Sequence, residues 1–146
     1  MSSNTSVKVA LAGNPNCGKT SLFNVLTGSR QHVGNYAGVT VERRTGHFDH
    51  GGERFEVEDL PGTYSLGAYS PEESITEEAL TGTEQVDVVV VVVDSTALKR
   101  SLVLLAQVMQ LDANPVLCLN MADEARAADQ RLDLDLLRSL LGFPVV

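Results

Sequence analysis

The residues best equipped for chemistry stand together near the amino terminus, in Gly13-Asn14-Pro15-Asn16-Cys17-Gly18-Lys19-Thr20. The run fits G-x-x-x-x-G-K-[ST], a loop whose backbone N–H groups turn inward and cradle phosphate oxygens. Lys19 supplies a compact positive charge for β- and γ-phosphates, and the Thr20 hydroxyl is a ligand for Mg²⁺. The glycines allow close backbone approach where a side chain would intrude. Ser21 lies in the helix that follows, whose amino-terminal end adds a favourable dipole.

Three further clusters bear on which phosphate compound binds. Asn120-Met121-Ala122-Asp123 follows an apolar strand-like run. A carboxylate at Asp123 can accept from both N1–H and the exocyclic amine of guanine. Adenine lacks that donor pair and would leave the acid unpaired. Asn120 can tie this segment to the phosphate loop. Asp59-Leu60-Pro61-Gly62 ends another strand-like run. There Asp59 can hold Mg²⁺ through water, and the Gly62 N–H can bond a γ-phosphate. Thr40, at the end of a glycine-containing stretch, can bind Mg²⁺ and sense the γ-phosphate. Taken singly these clusters are a helix cap, a turn and a strand residue. Their order along one chain points to GTP and GDP.

The elements needed to position these groups are legible as alternating strands and helices. Val7 to Ala12 reads as a strand and Thr20 to Leu26 as a short helix stopped at Gly28. Ser29 to Gly38 shows no periodicity and reads as a long loop. Val41 to Phe48 and Phe55 to Glu58 read as a hairpin turning at His50-Gly51-Gly52. Ser70-Pro71-Glu72-Glu73 starts a helix that runs to about Leu80 and stops at Gly82. Val86 to Val93 includes six consecutive valines, the mark of a strand buried on both faces. Leu98, Leu102, Leu105 and Met109 recur at helical spacing. Pro115 to Leu119 is another buried strand, Asp133 caps a last helix ended by Gly142, and Phe143 to Val146 begins a further strand. The alternation predicts an α/β domain, a mostly parallel sheet with one antiparallel strand and helices on both faces.

Bulk properties narrow the class. The chain has 146 residues, 43% of them hydrophobic, which suits one domain with one core. A formal net charge of -8 argues against non-specific binding to nucleic acid or anionic membrane. No apolar run approaches the roughly 18 residues of a membrane span. Met1 to Ser6 reads as a flexible polar tip. Cys17 and Cys118 read as free thiols. His32, His47 and His50 have no metal-ligand spacing. Glu72, Glu73, Glu77 and Glu78 suit helix capping and solvation.

The motifs also name a family. Gly13 to Asn24 with Leu26-Thr27-Gly28, Val33 to Glu42, Asp59-Leu60-Pro61-Gly62-Thr63-Tyr64-Ser65-Leu66, and Asn120 to Asp123 together resemble the amino-terminal G domain of bacterial FeoB ferrous iron transporters. The resemblance spans residues 7 to 146 and implies a Ras-like G domain of the P-loop NTPase fold. It implies that Gly38-Val39-Thr40-Val41-Glu42 forms the first switch beside the nucleotide. Asp59-Leu60-Pro61-Gly62 is then the second motif of the site. The expected function is slow GTP hydrolysis with Mg²⁺, on the cytoplasmic face of the bacterial inner membrane. The expected partner is a membrane permease domain of the same longer protein, and the domain can form oligomers. A helical domain that slows GDP release is also implied.

Lys19, Asn16, Thr40 and Gly62 are the expected catalytic groups. Thr63 stands where Ras-like enzymes place a water-orienting Gln, and it is too short for that task. Asn16 is similar to the loop Asn that helps bind K⁺ in potassium-activated relatives, with switch carbonyls around Gly34 to Tyr36 completing the site. K⁺ would then take the place of an arginine finger. A fifth guanine-contacting motif is expected beyond Val146. The alternatives are a nucleotide-binding switch with negligible turnover and a related GTPase of ribosome assembly or tRNA modification.

Overall fold

The computed structural model describes residues 6–67, 69–82, 86–111, 113–120 and 133–146. Strands β1 (Val7–Gly13), β2 (Gln31–Asn35), β3 (Glu42–His50), β4 (Glu53–Asp59), β5 (Val88–Asp94) and β6 (Pro115–Asn120) form one sheet. Its order is β2-β3-β4-β1-β5-β6. β1 runs parallel to β4 and β5, and β5 parallel to β6. β3 runs against both its neighbours, so it is the one antiparallel strand. The chain end continues the sheet: Leu119 N–H donates to Val146 O at 2.8 Å, and Val145 bridges Leu117.

Helices α1 (Lys19–Thr27), α2 (Pro71–Thr81), α3 (Leu98–Met109) and α4 (Leu134–Leu141) cover the sheet. Strand side chains alternate between faces, and β1 divides its apolar residues accordingly. Leu11 packs with Val57 and with Phe23 of α1. Ala10 and Ala12 join Val89, Val91, Val93 and Leu117 under Leu80 of α2 and Leu104, Leu105 and Val108 of α3. The valine run therefore feeds both layers, as its unbroken hydrophobicity requires. Among the described residues no helix is long and apolar enough to cross a membrane.

Local signals hold where a side chain carries them. Ser70 Oγ accepts from Glu73 N–H at 3.1 Å, the expected N-cap bond, and donates to Glu73 Oε1 at 3.2 Å. Asp133 Oδ1 accepts from Leu136 N–H at 3.0 Å. One expectation is corrected. Ser29 to Gly38 is not all loop, because Gln31–Asn35 is a strand paired from Gln31↔Gly46 to Asn35↔Glu42. This edge strand is exposed at all but Gln31, so it has no buried face to write an alternation into the sequence. β3 and β4 also extend the expected hairpin to His50 and back to Glu53.

Candidate functional site

β1 delivers Gly13 to the carboxyl edge of the sheet, and the chain turns there into α1, which starts at Lys19. A Cβ on Gly13 would stand 2.6 Å from Val92 O and 2.8 Å from Cys17 Sγ. Only glycine leaves room for the loop to fold over its own strand. Asn16 adopts φ 64°, a left-handed conformation that Asn tolerates better than most residues. Asn14 is buried, and its Nδ2 donates to Arg100 O at 3.1 Å, anchoring the loop to α3.

β4 ends beside this loop. Asp59 Oδ1 lies 2.5 Å from Lys19 Nζ, and Asp59 Oδ2 accepts from Thr20 Oγ1 at 2.9 Å. Lys19 and Asp59 are 7% and 5% exposed, so the charges are held almost entirely out of water. Beyond Asp59 the chain stays against the loop. Thr63 N–H donates to Gly13 O at 3.0 Å, and a Cβ on Gly62 would approach Pro15 Cα to 2.9 Å. Leu60 is buried in the core, and Pro61 O accepts from Thr76 Oγ1 of α2 at 3.4 Å.

Between these segments lies a cavity of about 470 Å³ lined by Asn14, Pro15, Asn16, Gly18, Lys19, Thr20, Ser21 and Gly62. It combines a basic group, a hydroxyl and a helix amino terminus, a set suited to a polyphosphate. The Thr20 hydroxyl and Asp59 carboxylate are hard oxygen donors already side by side, which fits Mg²⁺. A larger cleft of about 580 Å³ over the outer sheet is lined by Lys8, Arg30, His47, Arg54 and Glu56, among others. It has no such loop or helix terminus.

Asn120, the last residue of β6, donates from Nδ2 to Cys17 O at 3.0 Å. The expected tie between base-side segment and phosphate loop is therefore present. Met121, Ala122 and Asp123 lie outside the described residues. Burial, opposed by the Lys19 amide and charge, raises the Cys17 thiol above its ordinary range. Burial and the nearby Cys17 do the same to Cys118.

The segment expected to form the first switch does not line this cavity. Thr40 is exposed and does not line the loop cavity. Gly34 pairs with Arg43 across β2 and β3, and Tyr36 O accepts from Val39 N–H at 3.3 Å. Val41 O accepts from Tyr36 N–H, and Glu42 opens β3. Gly38 takes φ 78° in the intervening turn. Of the residues expected around K⁺, only Asn16 reaches the cavity. The sequence reading also passed over Glu58 and Arg43. Glu58 accepts a hydrogen bond from the Tyr36 hydroxyl. A charged residue pointing to the face opposite Asp59 was the available signal.

The model of the family described as ferrous iron transport protein B matches residues 7–146. The chain belongs to that family. It is 47% identical over 140 residues to an Fe(2+) transport protein A/Fe(2+) transporter FeoB fusion protein of Porphyromonas gingivalis, covering 96% of this chain and 17% of that protein. It is 45% identical over 143 residues to the Fe(2+) transporter FeoB of Escherichia coli K12, covering 94% of this chain and 18% of the transporter. The chain thus spans less than a fifth of these relatives. It superposes on the G domain of the T. maritima FeoB iron transporter with a TM-score of 0.90 at 44% identity, covering 97% of this chain and 86% of that one. The GMPPNP form of the T. maritima cytosolic domain gives 0.91 at 45% identity, over 96% of this chain and 55% of that one. The six-stranded, mostly parallel sheet of this chain, with its helices, matches the G-domain fold of that relative.

Proposed function

We propose that the chain binds GTP and GDP with Mg²⁺ and hydrolyses GTP slowly, as the nucleotide-controlled part of a longer ferrous iron transporter. The observation that carries this reading is the Asp59 carboxylate holding Lys19 and Thr20 at 2.5 and 2.9 Å. It joins two motifs 40 residues apart in the sequence at the edge of one cavity. On this reading Lys19 leaves Asp59 for the β- and γ-phosphates, and the Gly62 N–H bonds the γ-phosphate. Thr20 and Asp59 would hold Mg²⁺, which would supply neutralisation of phosphate charge. Membership of the family supports a membrane permease in the longer protein and a place on the cytoplasmic face of the inner membrane.

Slow turnover is supported by Thr63. Its side chain is buried, it does not line the cavity, and Oγ1 has no hydrogen-bond partner among the described residues. No side chain at that position orients an attacking water, so backbone groups are left with the task. K⁺ activation rests on Asn16 lining the cavity.

The test is a titration of fluorescent GDP against fluorescent ADP with Mg²⁺, followed by single-turnover GTP hydrolysis in K⁺ and in Na⁺. A strong preference for GDP over ADP is expected, with binding weakened on chelating Mg²⁺ and in Lys19→Ala. Equal binding of ADP would overturn the guanine assignment, and equal rates in both salts would remove K⁺. A bound but unhydrolysed GTP would favour a switch without turnover.

A further inference from the structure

Two consecutive residues of β4 hold different parts of the molecule. Asp59 faces the phosphate loop, while Glu58, on the opposite side of the strand, accepts a hydrogen bond from the Tyr36 hydroxyl. Arg43 completes the cluster. Its guanidinium lies 5.6 Å from the Tyr36 ring centroid, and its Nη2 is 3.7 Å from Glu58 Oε1. The backbone closes the same loop, with Tyr36 N–H donating to Val41 O at 3.0 Å and Val39 N–H to Tyr36 O at 3.3 Å. Tyr36, Ala37 and Val39 thereby sit over a groove of about 530 Å³ whose far wall is α2, at Pro71, Ile75 and Glu78.

We propose that the Tyr36–Glu58 contact is a latch that sets the preference of this domain between GTP and GDP. The inference rests on the nucleotide reading above. Thr40 is carried within the loop that Tyr36 closes, and there it is exposed and outside the phosphate cavity. Thr40 can contact a γ-phosphate only if this loop leaves β4 and α2. GTP supplies a γ-phosphate to draw Thr40 across, and GDP does not. The latch therefore opposes GTP binding and leaves GDP binding alone. A ligand shifts such an equilibrium only by its differential affinity for the two arrangements. Weakening the latch must then raise affinity for GTP relative to GDP.

The chemistry suits a reversible hold. A phenol donating to a carboxylate is a charge-assisted hydrogen bond, stronger than a neutral pair. Glu58 retains 23% side-chain exposure and Arg43 52%, so water can take over when the contact opens. Burial first, and then the bond to Glu58, push the Tyr36 phenol well above the ordinary tyrosine range. The hydroxyl therefore stays a donor at neutral pH.

The experiment measures dissociation constants for fluorescent GDP and fluorescent GMPPNP, with Mg²⁺, in the unaltered chain, Tyr36→Phe and Glu58→Ala. Tyr36→Phe removes only the hydroxyl and keeps the ring under Arg43. Glu58→Ala removes the acceptor. Each variant should raise the GMPPNP-to-GDP affinity ratio about fivefold, the low end of measured coupling between sites. Taking the ratio cancels any general loss of folded protein, since both nucleotides need the same fold. An unchanged or lowered ratio in both variants overturns the latch while leaving the nucleotide reading intact. If the unaltered chain prefers neither guanine nucleotide to ADP, the functional reading itself fails and the latch with it.

Discussion

The side-chain amide of Asn120 and the backbone carbonyl of Cys17, 103 residues apart, meet at 3.0 Å. This bond joins the end of β6 to the middle of the phosphate loop. Asn120→Ala leaves the Cys17 carbonyl without this partner and unties the end of β6 from the phosphate loop. The expected stability loss is about 1 kcal/mol, the net worth of one such bond. GDP affinity should fall further, by tenfold or more, because the base-side segment loses its tether. Thermal unfolding and GDP titration of the same variant separate the two effects. Equal GDP affinity would mean that the tether does not shape the site.

Asp59 and Lys19 form a buried charge pair, and removing one partner strands the other. Asp59→Leu should cost about 3 kcal/mol, with Lys19 left charged in a dry site. Lys19→Met combined with Asp59→Leu replaces the pair by apolar groups and should recover most of that loss. Neither variant should bind GDP with Mg²⁺. Urea unfolding checks the stability ordering. A double variant no more stable than Asp59→Leu would show that the Thr20–Asp59 bond, not the ion pair, carries the energy.

Thr63 carries a buried hydroxyl with no hydrogen-bond partner among the described residues. Thr63→Val keeps the shape and removes the unpaired polar group, an exchange that is neutral or stabilising when no bond is lost. We expect unfolding stability unchanged or raised by up to about 1 kcal/mol. Single-turnover GTP hydrolysis should be unaltered. A large loss of rate would place the hydroxyl in the reaction after all.

The site was legible where a residue type carries its own backbone requirement. Gly13 and Gly62 mark close approaches, Ser70 with Glu73 marks a helix start, and six valines mark a central strand. Each constraint is local, so spacing alone reveals it. β2 was hidden because its residues face water and leave no alternation to read. Tyr36 and Glu58 were hidden for another reason. They are 22 positions apart, and their meeting depends on the registers of β2, β3 and β4 together. The placement of Thr40 follows from that long-range contact, and so was equally out of reach.

The thiols offer a test of loop packing. Burial raises Cys17 and Cys118 above the ordinary thiol range, so the neutral form persists in the folded chain as pH rises. Thiolate is the reactive form. Alkylation at pH 8 should therefore be slow in the native protein and fast in urea. The native rate should climb only at pH values above those at which a free cysteine reacts fully. Rapid native labelling of Cys17 at pH 8 would mean that the phosphate loop opens far more often than its packing implies.

Tyr36 gives the corresponding prediction at alkaline pH. Its phenol is raised above the ordinary value near 10, first by burial and then by the hydrogen bond to Glu58. The unfolded chain releases this proton near pH 10, while the folded chain keeps it. Over that window the native state binds more protons, so stability must fall as pH rises. The contribution is fully present below pH 10 and is lost progressively above it. Tyr36→Phe has no such proton, and its stability should decline less steeply between pH 9 and 11. Glu58→Gln removes the charge facing the phenol and should shift the tyrosinate absorbance change to lower pH. The chain contains no tryptophan and three tyrosines, so tyrosinate absorbance near 295 nm can be followed without indole overlap. The difference between the unaltered chain and Tyr36→Phe isolates this one residue. If the two chains lose stability with the same slope, the hydroxyl is not held by Glu58 in solution, and the first switch is free of β4 before any nucleotide arrives.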